Sequence, residues 1–268
     1  MQSIIAAVFF VLITMSMSYA RPHPLELWPN GVPGEAKSDL QAESTEVREN
    51  GSEITSNVSV PTFTMYLAPD DSNRGVTILV CPGGGYNVLA YSHEGKDVCT
   101  WLNSIGINAG LLKYRVPRRP DLDKHVAPLQ DVQRAMTLIR SHSGELKINP
   151  DNVGILGFSA GGHLSAMALT SDGKRTYPAD AVNDEAEGLS CVPDFGVLVY
   201  PAYLQNDEDS VSLSPEFKVT DTTPPTFLVV AHDDTLMRMA CRPCQLVPPH
   251  QHVPSSCMAA MTAAVCSS

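Results

Sequence analysis

Basic residues are scarce in this 268-residue chain: 18 Lys+Arg stand against 29 Asp+Glu, for a formal net charge of −11. No Lys/Arg block gathers them locally, and a phosphate backbone needs a basic stripe, so the balance argues against a nucleic-acid partner and favours a neutral or weakly charged substrate. Long apolar runs are equally scarce. One stretch, residues 3–15, is almost wholly apolar, and it is shorter than the ~20 residues a bilayer core demands. Cysteine lacks the spacing of a disulfide framework. Cys81, Cys99 and Cys191 are scattered through the body, and the other four of seven (Cys241, Cys244, Cys257, Cys266) crowd the C-terminal end. No internal repeat is present. With 43% hydrophobic and 18% charged residues the composition is that of one sizeable globular domain.

What is present begins with an export signal. The apolar run is followed by Ser18-Tyr19-Ala20, small residues at both positions a signal peptidase reads, although no Lys or Arg precedes it. Residues 1–20 are expected to be removed, which leaves a periplasmic or extracellular protein with no membrane attachment. Residues 21–236 then form one domain.

Hydrophobic periodicity orders that domain. Strands are expected at Thr62–Leu67 and Ala109–Tyr114, and buried strands at Val76–Cys81, Val153–Leu156, Gly196–Tyr200 and Thr226–Ala231. Helical spacing joins Val98, Trp101, Leu102 and Ile105, with Gly106 as a C-terminal cap. It also joins Leu129, Val132, Met136 and Ile139, with Asp131 and Arg134 expected to face water. A further helix runs through Leu169, and 205–225 reads as a loop at the sheet's edge. Strands alternating with helices predict an α/β fold with a mostly parallel central sheet and helices on both faces.

Two motifs carry chemistry. Gly157-Phe158-Ser159-Ala160-Gly161 fits G-x-S-x-G between a strand and a helix. There a serine occupies a sharp turn that needs small neighbours, and the helix N-terminus directs N–H groups at a developing alkoxide. Upstream, Pro82-Gly83-Gly84-Gly85-Tyr86 ends a buried strand. Its glycines let N–H groups turn toward a ligand, which suits an oxyanion hole completed by the N–H of Ala160. No Gly-Lys-Ser/Thr follows, so it is not a phosphate loop. Ser159 is the expected nucleophile.

The Leu27-Trp28-Pro29 entry, Cys81–Tyr86, His93-Glu94-Gly95, residues 101–106, Lys113-Tyr114-Arg115, Asp131–Arg140 and Gly157–His163 resemble, as a set, the bacterial exported α/β-hydrolases related to acetyl xylan esterases and feruloyl-esterase-like lipases. The resemblance covers roughly residues 25–234. It implies an α/β-hydrolase fold and a serine esterase acting on acylated sugars or other short-chain esters, with no cofactor and no metal. It also implies that Gly84 and Gly85 are the loop's oxyanion donors. Where the family more often carries a histidine in the related motif, this chain has Pro82. After the strand at 226–231 come His232-Asp233-Asp234, and the resemblance favours Asp234 as the triad acid, with Asp233 as alternative.

The base is unassigned. A crossover helix alone takes about a dozen residues and a strand several more, whereas His250 and His252 follow Asp234 closely and the segment carries Pro243, Pro248, Pro249 and Pro254. His163 is expected to pack or face solvent, and His232 precedes the acid on the same loop. Composition changes abruptly near Met237. Back-translating Ser256–Thr262 from the last base of each codon allows Tyr, Gly-Gly, His and Asp, which resembles the family's closing histidine loop. The expectation is therefore a tail, 237–268, read in a shifted frame and disordered, with the last helix and strand missing. Three alternatives stay open: a relative impaired by lack of the histidine; a serine peptidase of the same fold; and a zinc-binding tail built from Cys241, Cys244, His250, His252 and Cys257. The oligomeric state is not fixed by the sequence.

Overall fold

A computed structural model describes residues 24–35, 41–178, 181–182, 184–206, 208 and 212–231. The expected signal segment, Asp233, Asp234, His232 and everything from there to Ser268 lie outside the described residues.

The chain builds a seven-stranded sheet in the order β1-β4-β7-β5-β8-β9-β10. Its strands are β1 (Pro24–Glu26), β4 (Thr62–Tyr66), β5 (Thr77–Cys81), β7 (Asn108–Lys113), β8 (Val153–Phe158), β9 (Gly196–Val199) and β10 (Thr226–Val229). β1 and β4 pair antiparallel, and the run from β7 to β10 is parallel. Alternation along β5 feeds two cores, as a strand buried on both faces requires. Ile78 and Val80 pack with Cys99 and Leu102 of α1 (Asp97–Ser104). Leu79 and Cys81 pack with Met136 and Ile139 of α2 (Val126–Ser141) and Leu164 of α4 (Ser159–Leu169). α3 (Ser143–Leu146) is a single turn after α2, half-buried at its two ends. The result is three layers, as the strand–helix alternation predicts.

Two expectations are corrected. Asp131 and Arg134 do not face water, being 0% and 1% exposed. α2 is covered on its outer side too, so its polar residues are paired instead of hydrated. Asp131 accepts from Trp28 Nε1 at 2.8 Å and from the Arg115 backbone N–H at 2.9 Å, and it pairs with Arg115 Nε at 3.0 Å. Arg134 pairs with Asp184 and donates to the Leu27 carbonyl. The strand at Thr226 is not buried: Thr226 is exposed and Phe227–Val229 are half-buried, because β10 has one neighbour, β9, among the described residues. Two further strands precede Asn57. β2 (Ser44–Val47) and β3 (Glu53–Ser56) form a hairpin that continues to β6 (Val88–Leu89) as a second small sheet.

Cys81, Cys99 and Cys191 are buried free thiols. Burial pushes Cys81 and Cys99 up to about 12, so both stay protonated and behave as small apolar side chains.

Candidate active site

Parallel register brings the site together. Cys81 pairs with Gly157, Phe158 with Val199, and Val199 with Val229. The carboxyl ends of four adjacent strands therefore end level, and the chain leaves β5, β8, β9 and β10 on one edge of the sheet. Such an edge is where open α/β sheets place ligands.

At the end of β8 the backbone reverses within one residue. Phe158 is extended (φ −110°), Ser159 is left-handed (φ +50°), and α4 starts at Ser159 itself. A non-glycine residue held left-handed is strained, and the surroundings must enforce it. They do so through contacts too close for any side chain. A Cβ on Gly157 would lie 2.1 Å from the Gly161 carbonyl oxygen, and one on Gly161 would lie 2.1 Å from the carbonyl oxygen of Cys81. The helix is thus pressed against the end of β5. Ser159 stays half-buried, and its carbonyl accepts from the Ala202 N–H at 2.9 Å.

The glycine loop lies directly against this serine. The position of a Cβ on Gly83 would be 3.0 Å from Ser159 Cβ and 2.6 Å from Glu94 Oε2. Gly84 (φ +135°) and Gly85 (φ +65°) carry the chain through a turn that Tyr86 (φ +59°) completes. The Gly83 N–H is committed, donating to Glu94 Oε2 at 2.7 Å, while the other Glu94 oxygen accepts from Tyr200 Oη at 2.8 Å. No acceptor for the N–H groups of Gly84 and Gly85 is found among the described residues. No side chain caps α4, so the Ala160 N–H in its first turn has no intrahelical acceptor either. These three groups are the oxyanion donors expected from the sequence, and that of Ala160 stands at the positive end of the α4 dipole.

Behind the loop runs a buried polar chain. Tyr86 Oη lies 2.7 Å from His163 Nδ1, and His163 Nε2 lies 2.7 Å from Glu216 Oε1. His163, for which the sequence left packing and solvent exposure open, is fully buried. Desolvation lowers its pKa below the usual histidine value, despite the opposing pull of Glu216. The hydrogen bond from His163 holds Glu216 below the usual carboxylate range. Both directions describe a neutral imidazole and an ionised carboxylate. His125, at the start of α2, places Nδ1 3.7 Å from Glu216 Oε2.

His125, His163 and Glu216 also form the one group among the described residues whose ligand atoms, within 4.8 Å of one another, could hold a metal ion. The donors do not fit that use. The 2.7 Å His163–Glu216 contact is a hydrogen-bond distance, whereas two ligands on a tetrahedral zinc with ~2.0–2.1 Å bonds stand about 3.3 Å apart.

Asp234, His250 and His252 lie outside the described residues; of the other predicted site residues, Ser159 and Ala160 open α4, and Gly84 and Gly85 follow the Gly83 that lies against Ser159. Sequence reasoning passed over Glu94 and Tyr86, although both stand in motifs that carried the family resemblance. It gave no role to His125, Tyr200 or Glu216, and no local signal marks them.

The sheet order, the layered helices and the strand–serine–helix turn define an α/β hydrolase. The BD-FAE family profile matches residues 64–193. An acetylxylan esterase of Xylanibacter ruminicola is 29% identical over 194 residues, 65% of this chain and 39% of its own length. An endo-1,4-beta-xylanase B of Butyrivibrio fibrisolvens is 30% identical over 196 residues, covering 66% of this chain and 30% of its own length. The chain therefore spans well under half of these two relatives. Among solved structures, an acetyl ester-xyloside bifunctional hydrolase from Caldicellulosiruptor lactoaceticus superposes with a TM-score of 0.59 at 31% identity, covering 84% of this chain and 82% of that one. The chain belongs to the esterase family of α/β hydrolases related to acetyl xylan esterases.

Proposed function

We propose that the protein is a serine carboxylic-ester hydrolase that deacetylates acylated carbohydrates through an acyl-enzyme. The observation that carries this reading is the left-handed Ser159, held against a glycine loop whose free N–H groups are joined by that of Ala160. Ser159 Oγ attacks the ester carbonyl carbon as its proton passes to a histidine. The N–H groups of Gly84, Gly85 and Ala160 receive the charge on the tetrahedral oxygen, the alcohol leaves with the proton, and water cleaves the acyl-serine by the same route. Asp234 orients the histidine, for which His250 and His252 are the sequence candidates. Names of the relatives support acetyl esters of xylose-type sugars as substrates. The chain is exported, and residues 1–20 are its signal.

A second reading is an impaired relative. It is favoured by the described histidines: His163 and the nearby His125 belong to the buried chain with Glu216, His93 is exposed, and His142 bonds within α2. Turnover of p-nitrophenyl acetate and of acetylated xylo-oligosaccharides decides between them. Turnover that Ser159→Ala reduces by roughly 10³-fold or more supports the esterase. Absence of turnover in a folded chain supports the impaired relative, and turnover indifferent to Ser159→Ala refutes the serine mechanism.

A further inference from the structure

The Tyr86–His163–Glu216 chain joins three segments that the proposed reaction must hold in register. Tyr86 directly follows Gly85 on the glycine loop, His163 stands one turn beyond Ser159 on α4, and Glu216 comes from the loop before β10. Both ring nitrogens of His163 are engaged at 2.7 Å. Its ring is boxed in by Tyr86, Tyr203 and Phe217, with edge-on centroid distances of 5.7, 5.7 and 5.2 Å, and by a tilted His125 at 5.7 Å. Tyr86 itself is fully buried in a left-handed backbone, so its side chain is a peg that fixes how the preceding glycines turn.

We infer that Glu216 and His163 are positioning residues for the oxyanion loop, acting through the Tyr86 hydroxyl. This rests on the assignment of Gly84 and Gly85 as oxyanion donors. The polarity of the chain is set from its far end. An ionised Glu216 can only accept, so His163 carries its proton on Nε2. Nδ1 is then a bare acceptor, and Tyr86 must donate to it. A donating hydroxyl anchored on α4 locks the peptide that follows Gly85 to the same helix that carries Ser159. Nucleophile and loop thus move as one body. The groups facing His163 are Tyr86 from the loop, Glu216 and Tyr203 from the segments after β9, and His125 and Lys124 from the entry to α2. Lys124 sits over the Tyr203 ring at 4.7 Å.

The test uses the full-length chain, with Tyr86→Phe, Glu216→Ala, Glu216→Gln and the double variant Tyr86→Phe/Glu216→Ala. Near-UV circular dichroism verifies folding. Two readouts are taken: p-nitrophenyl acetate kinetics, and backbone amide ¹⁵N relaxation at Gly84 and Gly85, which does not depend on turnover. A loop displaced by about 1 Å should cost kcat on the order of 10²-fold, with KM moving far less. The expected result is a kcat loss of roughly 10- to 100-fold in Tyr86→Phe and Glu216→Ala, no further loss in the double variant, and faster amide motion at both glycines. Partial recovery follows in Glu216→Gln, whose amide oxygen still accepts from Nε2–H. Long-range ¹H–¹⁵N spectra should show His163 as the Nε2–H tautomer. Folded variants with kcat within twofold of the parent and unchanged Gly84 and Gly85 relaxation overturn the inference, as does an Nδ1–H tautomer. Failure of the serine reading is distinguishable, because it appears as turnover that survives Ser159→Ala while the relaxation result stands by itself.

Discussion

Gly161→Ala probes the contact that sets the distance between nucleophile and oxyanion loop. The added Cβ would lie 2.1 Å from the Cys81 carbonyl oxygen and 2.5 Å from that of Pro82, against about 3.3 Å for a comfortable carbon–oxygen approach. The shortfall of about 1.2 Å falls on backbone atoms alone, so no rotamer change relieves it, and α4 must back away from β5. Overpacking of this kind costs about 1–3 kcal/mol, which for a domain of this size lowers Tm by roughly 2–4 °C per kcal/mol. A retreat of ~1 Å at Ser159 should also cut kcat by about 10²-fold. Differential scanning calorimetry and p-nitrophenyl acetate kinetics read the two effects, with Gly144→Ala as control, since a Cβ there meets nothing within 4 Å. Gly161→Ala with an unchanged Tm and kcat within twofold of the parent would refute the claim that this contact spaces the site.

Glu94→Ala frees the Gly83 N–H and the Tyr200 hydroxyl, which the carboxylate now ties together. A kcat loss of roughly tenfold or more with an intact fold is expected by steady-state kinetics, at the scale of a misplaced oxyanion donor, and Tyr200→Phe should lose less. Stability should fall on acidification in two stages. Burial holds His125 and His163 below their ordinary value of 6.5, so the unfolded chain binds protons that the folded chain refuses, and stability drops as pH falls below about 6.5. Glu35, held down against its own burial by Arg119 and Arg115, and Glu216 lie below 4.5 in the fold, so their contribution is lost as pH falls through that lower range. A Tm that is flat from about pH 7 to pH 5 would contradict the histidine assignment, and one flat from about pH 4.5 to pH 2 the carboxylate assignment. Finally, the coding DNA across the last codons should spell Gly-Gly-His near Met258 in the alternative frame; its absence there ends the frameshift reading.

The sheet was legible because parallel strands buried on both faces read as continuous apolar runs, as at Val76–Cys81. The turn at Ser159 was legible because a strained serine demands glycines at fixed offsets. α2 misled, because its polar residues were taken for a hydrated face. Asp131 and Arg134 are matched by Arg115, Trp28 and Asp184 from distant segments, and periodicity within one helix carries no trace of partners outside it. Glu216 was invisible for the same reason: a carboxylate in a polar loop looks solvated until the fold lays it against His163. β2 and β3 were missed because β2 is exposed along its whole length and both strands are short and rich in polar residues, so they differ little from coil in composition.

Covalent labelling of Ser159 tests the account most directly. Incubated with a fluorophosphonate, the folded chain should gain the mass of a single adduct, mapped by peptide mass spectrometry to Ser159 and absent from Ser159→Ala. Adduct formation at another serine, or none on Ser159 in a chain that hydrolyses esters, would contradict it.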